Sequence, residues 1–189
     1  VAVETKLLDN LLADVEAGLE PLIRLRRDLK QLAKTLPREQ ARYLVKHYYS
    51  LQETRVALDL QIRDATKAGE PTTLLKWLWH NFYLLESTIR SILNVFARQY
   101  PEGRWAMSIT GIGPVIAAGL IAHIDIERAS TVGKIWRFAG LDPTTEWKEG
   151  QKRPWNADLK VLCWKIGRSF MMARTKAKVD HYGLIYEQR

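Results

Sequence analysis

The chain has 189 residues, of which 47% are hydrophobic, so it supports a packed interior and is not globally disordered. Its single cysteine, Cys163, excludes an internal disulfide and a thiolate zinc cluster, and no apolar run approaches the eighteen or so residues of a membrane span. The net charge of +8 is segregated: Arg128–Lys178 holds 12 Lys/Arg against 4 Asp/Glu while the remainder holds 17 of each sign, which points to a polyanionic partner.

The first hundred residues read as long helices. Leu7, Leu8, Leu11, Leu12 and Val15 follow the spacing of a helix that buries one face. Gly18 and Pro21 interrupt the pattern, and Leu22, Leu25, Leu29 and Leu32 resume it. Pro37 stands where a first-turn proline would, opening a helix that runs to Ala68. Gly69 and Pro71 then mark a short loop, and a second long helix is expected over Thr72–Gln99. Two such helices form an antiparallel hairpin that cannot bury both faces alone, so it should pack on a partner chain or on the rest of the domain. No strand-like alternation occurs, and the predicted class is all-α. Trp77, Trp79, Phe82 and Tyr83 lie at helical spacing and read as core or dimer-interface residues. His47, His80, His123 and His181 lack ligand spacing, so neither a metal nor another cofactor is expected.

From Arg104 the texture changes. Trp105–Ile109 reads as a short helix, Gly111-Ile112-Gly113 as a tight turn, and Pro114–Ile124 as a second helix with proline at its first position. The stretch from Gly111 to Ala117 has the G-h-G-x-x-x-A spacing of a helix-hairpin-helix, which grips nucleic-acid backbone. The two glycines admit unusual dihedrals and leave room for a phosphate beside main-chain N–H groups. Ile112 anchors the turn, Ala117 lets the helices approach, and the helix N-terminus favours an anion. Thr110, Gly111, Ile112, Gly113 and Val115 are therefore candidate contacts. Such contacts position a duplex and do not read its bases. The competing reading is a plain interhelical turn.

Residues 131–140 read as a short helix closed by Gly140, with Lys134 and Arg137 on its surface. An irregular loop follows, carrying Trp147, Lys148, Lys152, Arg153 and Trp155. Its indoles would either stack unpaired bases or fold the loop back on the core. Asn156 caps a further helix, with Leu159, Leu162, Cys163, Ile166 and Phe170 on one face and Lys160, Trp164, Lys165 and Arg168 on the opposite half of the wheel. A positive face opposite an apolar one suits a helix lying along phosphates, although a merely solvated face looks the same. Cys163 falls on the apolar side and reads as a small buried hydrophobe.

The runs "SITGIGPVIAAGLIAHI" and "IWRFAGLDP", with the later Lys/Arg-rich helix, resemble the C-terminal domain of DEDD-type, RNA-guided insertion-sequence transposases over about residues 104–172. In that family a RuvC-like nuclease domain and a long coiled coil precede this domain, so the resemblance makes residues 1–100 the counterpart of the coiled coil. The family's four metal-binding carboxylates have no counterpart here. Its nucleophilic serine, a few residues after "GLDP", falls at about Lys148, and the loop Thr144–Arg153 contains no serine. Thr144 and Thr145 are the remaining hydroxyls, without an evident base beside them.

The expected organisation is a helical hairpin over 1–100 that dimerises, a basic helix-hairpin-helix domain over 101–178, and a C-terminal tail or the start of a further helix over 179–189. The expected function is non-catalytic, largely sequence-independent binding of double-stranded DNA by a homodimer or higher homo-oligomer of phage or mobile-element type. Alternatives are a piece of a recombinase and a helical protein adaptor. Lacking a signal-peptide pattern, the chain is expected in the cytoplasm without a membrane partner. Beginning without methionine, it reads as a trimmed piece of a longer protein.

Overall fold

In a computed structural model of the protein, residues 10, 13, 28–174 and 181–187 are described, and among them there are helices and turns but no strand. The fold is all-α, as the absence of strand-like alternation predicts. The leucine pattern expected before residue 28 lies outside the described residues. Among the described residues no helix is long and apolar enough to cross a membrane.

A 3-10 turn at Ala33–Thr35 leads into α1, Arg38–Ala68. Pro37 stands one residue before it, extended (ψ 152°), and its carbonyl accepts the N–H of Ala41 at 3.0 Å. Gly69 ends the helix in the left-handed region (φ 73°): its own N–H reaches the Thr66 carbonyl and that of Glu70 the Ala65 carbonyl, closing the orphan acceptors of the last turn. Helix α2, Thr73–Gln99, returns alongside α1. Their contact is apolar at one end, where Ala41, Val45 and Tyr48 meet Leu93, Phe96 and Ala97. Further along it is ionic, where Arg55 Nε lies 2.6 Å from Glu86 Oε2.

Helix α3, Pro101–Ala106, and helix α4, Pro114–His123, complete this core. Val115, Ile116, Ala117, Ala118, Ile121 and Ala122 are all buried, so α4 is apolar around most of its circumference and packs on both α1 and α2. One apolar cluster therefore runs from Ala41 and Phe96 across residue 100 to Ala106 and Ala118. Phe96 and Leu93 are fully buried, each worth about 1.5–3 kcal/mol relative to an exposed side chain.

A second cluster of Ile116, Ala139, Leu159 and Leu162 attaches α5, Val132–Ala139, and α6, Ala157–Arg174, to the other side of α4. Helix α7, His181–Glu187, packs on α6. Helix α6 runs back along α4: Leu162 lies against Gly119, and Ser169 and Phe170 lie against Gly111. This antiparallel pairing brings the glycine turn next to the C-terminal half of the basic helix.

Candidate nucleic-acid interface

The segment between α3 and α4 is a succession of tight turns. Ile109 N–H donates to the Ala106 carbonyl at 3.1 Å and Ile112 N–H to the Ile109 carbonyl at 3.0 Å. The two glycines of the turn do different things. Gly111 has φ +95°, a region that side chains resist, and a Cβ there would lie 2.9 Å from Phe170 Cδ1. Its carbonyl accepts the Ser169 hydroxyl at 2.6 Å. Gly113 is ordinary extended backbone (φ −89°, ψ 175°), and a Cβ on it would meet nothing within 4 Å. Gly111 is thus required by the fold, whereas Gly113 leaves open space ahead of α4.

Beyond that space the first amide of α4 to bond back is Ala117 N–H, to the Gly113 carbonyl at 3.0 Å, so Val115 and Ile116 offer first-turn N–H groups that helical geometry leaves without a partner. Val115 and Ile116 are themselves buried. Ile112 packs against both apolar clusters, and Thr110 is exposed.

Along α6, Lys160, Trp164 and Arg168 recur every fourth residue as one exposed row. The Arg168 guanidinium lies 5.8 Å from the Trp164 ring centre, and Trp164 is 62% exposed. Lys165 does not join this row, contrary to the grouping expected from the wheel. One residue on from Trp164, it is turned about 100° around the axis. Its Nζ sits 3.8 Å from the centre of the Tyr49 ring and 3.8 Å from Glu53 Oε1, facing α1.

Helix α5 begins at Thr131, whose hydroxyl oxygen accepts the Lys134 N–H at 3.3 Å, and ends at Gly140, in the left-handed region. Lys134 and Arg137 are exposed, and Arg137 Nε lies 3.2 Å from Asp142 Oδ2. Asp142 also accepts the Thr144 hydroxyl at 2.7 Å and the Thr144 N–H at 2.9 Å. These bonds, the Thr144 hydroxyl first and Arg137 after it, hold its carboxyl below the usual carboxylate range. A carboxylate stabilised in this way is a weak proton acceptor. Its contacts with Thr144 form a local turn-closing arrangement.

The loop indoles fold inward. Trp147 Nε1–H donates to the Gln151 carbonyl at 2.8 Å, and its ring meets Trp155 edge-on with centres 6.0 Å apart. Arg153 lies over Trp147 and Lys160 over Trp155. Trp155 fills the space that a Cβ on Gly140 would need, 2.7 Å from its Cγ. Lys148 and Lys152 stand exposed at the tip. Asn156 ties the loop off: its N–H donates to the Phe138 carbonyl at 2.8 Å, and its Oδ1 accepts the Leu159 N–H at 2.9 Å as the cap of α6.

Ser169 and Phe170 are the turn's partners that sequence reasoning missed. Phe170 was legible as apolar, but no local signal joins residue 169 to residue 111, 58 positions away. Among the described residues no three His, Cys, Asp or Glu side chains gather so as to hold a metal ion. His47 packs its ring on Tyr43, 4.1 Å between centres. His123, at the other end of α4, keeps a buried Nδ1 without a partner.

Burial, then the neighbouring Arg42 charge, push the His123 pKa below its ordinary 6.5, against a smaller opposing pull from Asp158. The unfolded chain takes up this proton more readily, so the histidine's contribution to stability is complete above pH 6.5 and is lost as pH falls below it. Between pH 7.5 and 5.5 the urea midpoint of the wild type should drop more than that of His123→Gln. Parallel drops would remove His123 as the cause.

Residues 103–155, from α3 through the loop to Trp155, match the model of the family described as Transposase IS116/IS110/IS902. No curated protein and no solved structure matches the chain. The matched segment, which contains the glycine turn, α4, α5 and the indole loop, is thus similar to part of that transposase family.

Proposed function

We propose that this protein binds double-stranded DNA through phosphate contacts, without catalysis and with little base preference, as a helix-hairpin-helix protein of phage or mobile-element type. The observation that carries the reading is the open corner at Gly113, in a turn whose Gly111 packs on Ser169 and Phe170 of α6, the helix that also carries the exposed row Lys160, Trp164 and Arg168. Main-chain amides at the start of α4 supply directed donors, and the row supplies cations along a neighbouring helix. Lys134, Lys148, Lys152 and Arg153 extend the positive surface, Arg137 standing among them with its charge shared with Asp142. The transposase relationship of residues 103–155 agrees with a DNA partner. Exposed apolar residues on the hairpin, among them Leu74, Tyr83 and Leu85 on α2, support a homodimer.

The test is a fluorescence-anisotropy titration of a labelled duplex at several salt concentrations. About four to six phosphate contacts give a log–log slope near −4 to −5. Gly113→Val should weaken binding tenfold or more while costing at most about 1 kcal/mol of stability, because the backbone there suits any residue. An affinity indifferent to salt, or unchanged in Gly113→Val, refutes the proposal. The family match also favours a second reading, a part of a recombinase with strand-transfer activity. Cleavage of supercoiled DNA with magnesium, lost on replacing Thr144 or Thr145, would decide for it.

A further inference from the structure

We infer that the helical hairpin carries a second phosphate track, a cationic cleft at the far end of α4 that takes the backbone of the same nucleic acid. The inference rests on the DNA-binding reading above and extends it from the transposase-related segment to α1.

Two clefts adjoin there, of about 320 Å³ and 480 Å³, sharing Arg42 and His123 as their common wall. The smaller is flanked by Lys46 from α1 and Lys165 from α6, and the larger opens on Arg128, in the link after α4, and on Lys134 of α5. Six cationic side chains from four segments, Arg38 of α1 being the sixth, thus line the two adjoining clefts. Arg42 and Lys46 belong to the remainder of the sequence, which has no net charge, but the fold sets them beside Lys134 and Lys165, which belong to the segment holding the whole excess. This placement also explains why Lys165 leaves the row on α6.

Acids are present: Glu39 lies 2.8 Å from Arg42, Glu53 3.8 Å from Lys165 and Asp125 3.5 Å from Arg128, with Asp158 in the wall. Glu39 and Glu53 have side chains 75% and 76% exposed, so these pairs are weakly held and a phosphate can replace the carboxylate. Among the described residues Lys46 has no acidic partner. The walls mix these cations with apolar side chains, among them Val45, Tyr49, Leu162 and Phe138. The cations outnumber the acids Glu39, Glu53, Asp125 and Asp158, a surplus that suits a repeated anion. The cleft also lies about 15 Å from the Gly113 corner, the length of the ten-residue α4. A polymer with regularly repeated phosphates, each strand rising about 3.4 Å per nucleotide, reaches both ends of such a helix.

The experiment compares the full chain with Arg42→Gln/Lys46→Gln and with Glu53→Gln in duplex-DNA titrations from 50 to 200 mM NaCl, with folding checked by circular dichroism. The double variant should bind about tenfold more weakly at 100 mM salt and shorten the slope by about 2, one contact for each cation removed. Glu53→Gln, which frees Lys165, should bind about threefold more tightly. If the wild type binds and Gly113→Val weakens it, but the double variant keeps full affinity and slope, the cleft is overturned while the DNA-binding reading stands. If the wild type binds no duplex at 50 mM salt, the DNA-binding reading itself fails. Should the double variant not fold, Glu53→Gln decides alone, an unchanged affinity counting against the cleft. Polyglutamate displacing the duplex at equal charge concentration would overturn the assignment to nucleic acid.

Discussion

Replacing Gly103 with alanine is expected to cost about 3 kcal/mol of unfolding free energy, because small-to-large changes in a packed interior fall at the upper end of their range when main chain is the obstacle. A Cβ on Gly103 would stand 2.1 Å from the Ala97 carbonyl oxygen and 2.6 Å from Ile121 Cδ1. The side chain can move, but the carbonyl belongs to the end of α2 and cannot. Alanine's better helix propensity offsets only about 1 kcal/mol of this. In thermal unfolding the change should appear as a loss of several degrees or more in Tm, given roughly 2–8 °C per kcal/mol for domains of this size range. Gly119→Ala provides the comparison. Its Cβ would approach Leu162 Cδ2 at 2.6 Å, the far end of a flexible side chain, so the loss should be smaller. Equal Tm values for Gly103→Ala and wild type would mean that α3 does not lie over the end of α2.

The second large effect concerns the buried ion pair between the long helices. Arg55 and Glu86 have side chains 18% and 9% exposed, and Gln52 donates to the other carboxylate oxygen of Glu86 at 3.3 Å. Arg55→Met leaves a carboxylate inside the hairpin with its principal partner gone, and breaking a buried pair in this way costs about 3–5 kcal/mol. Arg55→Met/Glu86→Leu removes both charges and should recover most of that loss. Chemical denaturation of the two single variants and the double variant gives the coupling directly. A double variant no better than the worse single one would show that the pair contributes net stability and is not merely tolerated. The same pair reaches Tyr48, whose hydroxyl pKa is raised by burial first and by Glu86 second.

Local signals in the sequence carried much of the fold. Gly69 and Pro71 bracketed the link between the long helices because a left-handed glycine ends one helix and proline cannot sit inside the next. Gly140 and Asn156 worked similarly, one closing α5 and the other capping α6. The position of α4 was less accessible. Residues 115–122 are apolar on every side, and that signature of a helix buried all round is easily passed over beside the adjacent glycine turn. Gly103 and Gly119 carried no readable signal either, since a glycine needed for close approach looks like any other until its neighbours are known.

The candidate interface was legible to a similar depth. Glycine spacing marked the turn, but not that Gly111 and Gly113 divide their tasks, one filled by Phe170 and the other open. Substituting both glycines together would therefore confuse unfolding with lost affinity, and Gly113 alone is the informative position. Periodicity grouped Lys160, Trp164 and Arg168, while the direction of Lys165 was decided by Tyr49 and Glu53 on a distant helix. The inward fold of Trp147 and Trp155 depends on the Gln151 carbonyl and the gap at Gly140, neither of which composition reveals.

The bond from Asn156 N–H to the Phe138 carbonyl fastens the two ends of the indole loop to each other before the chain enters α6. Between those fixed ends, the exposed tip around Gly150, where a Cβ would touch nothing within 4 Å, is insulated from the helices that flank it. Lengthening that tip costs only the slowly growing entropy of a larger ring, about 0.6 kcal/mol per doubling. Related chains are therefore free to diversify here, and a reporter peptide grafted at the tip should ride on the molecule without disturbing the register of the two helices it joins.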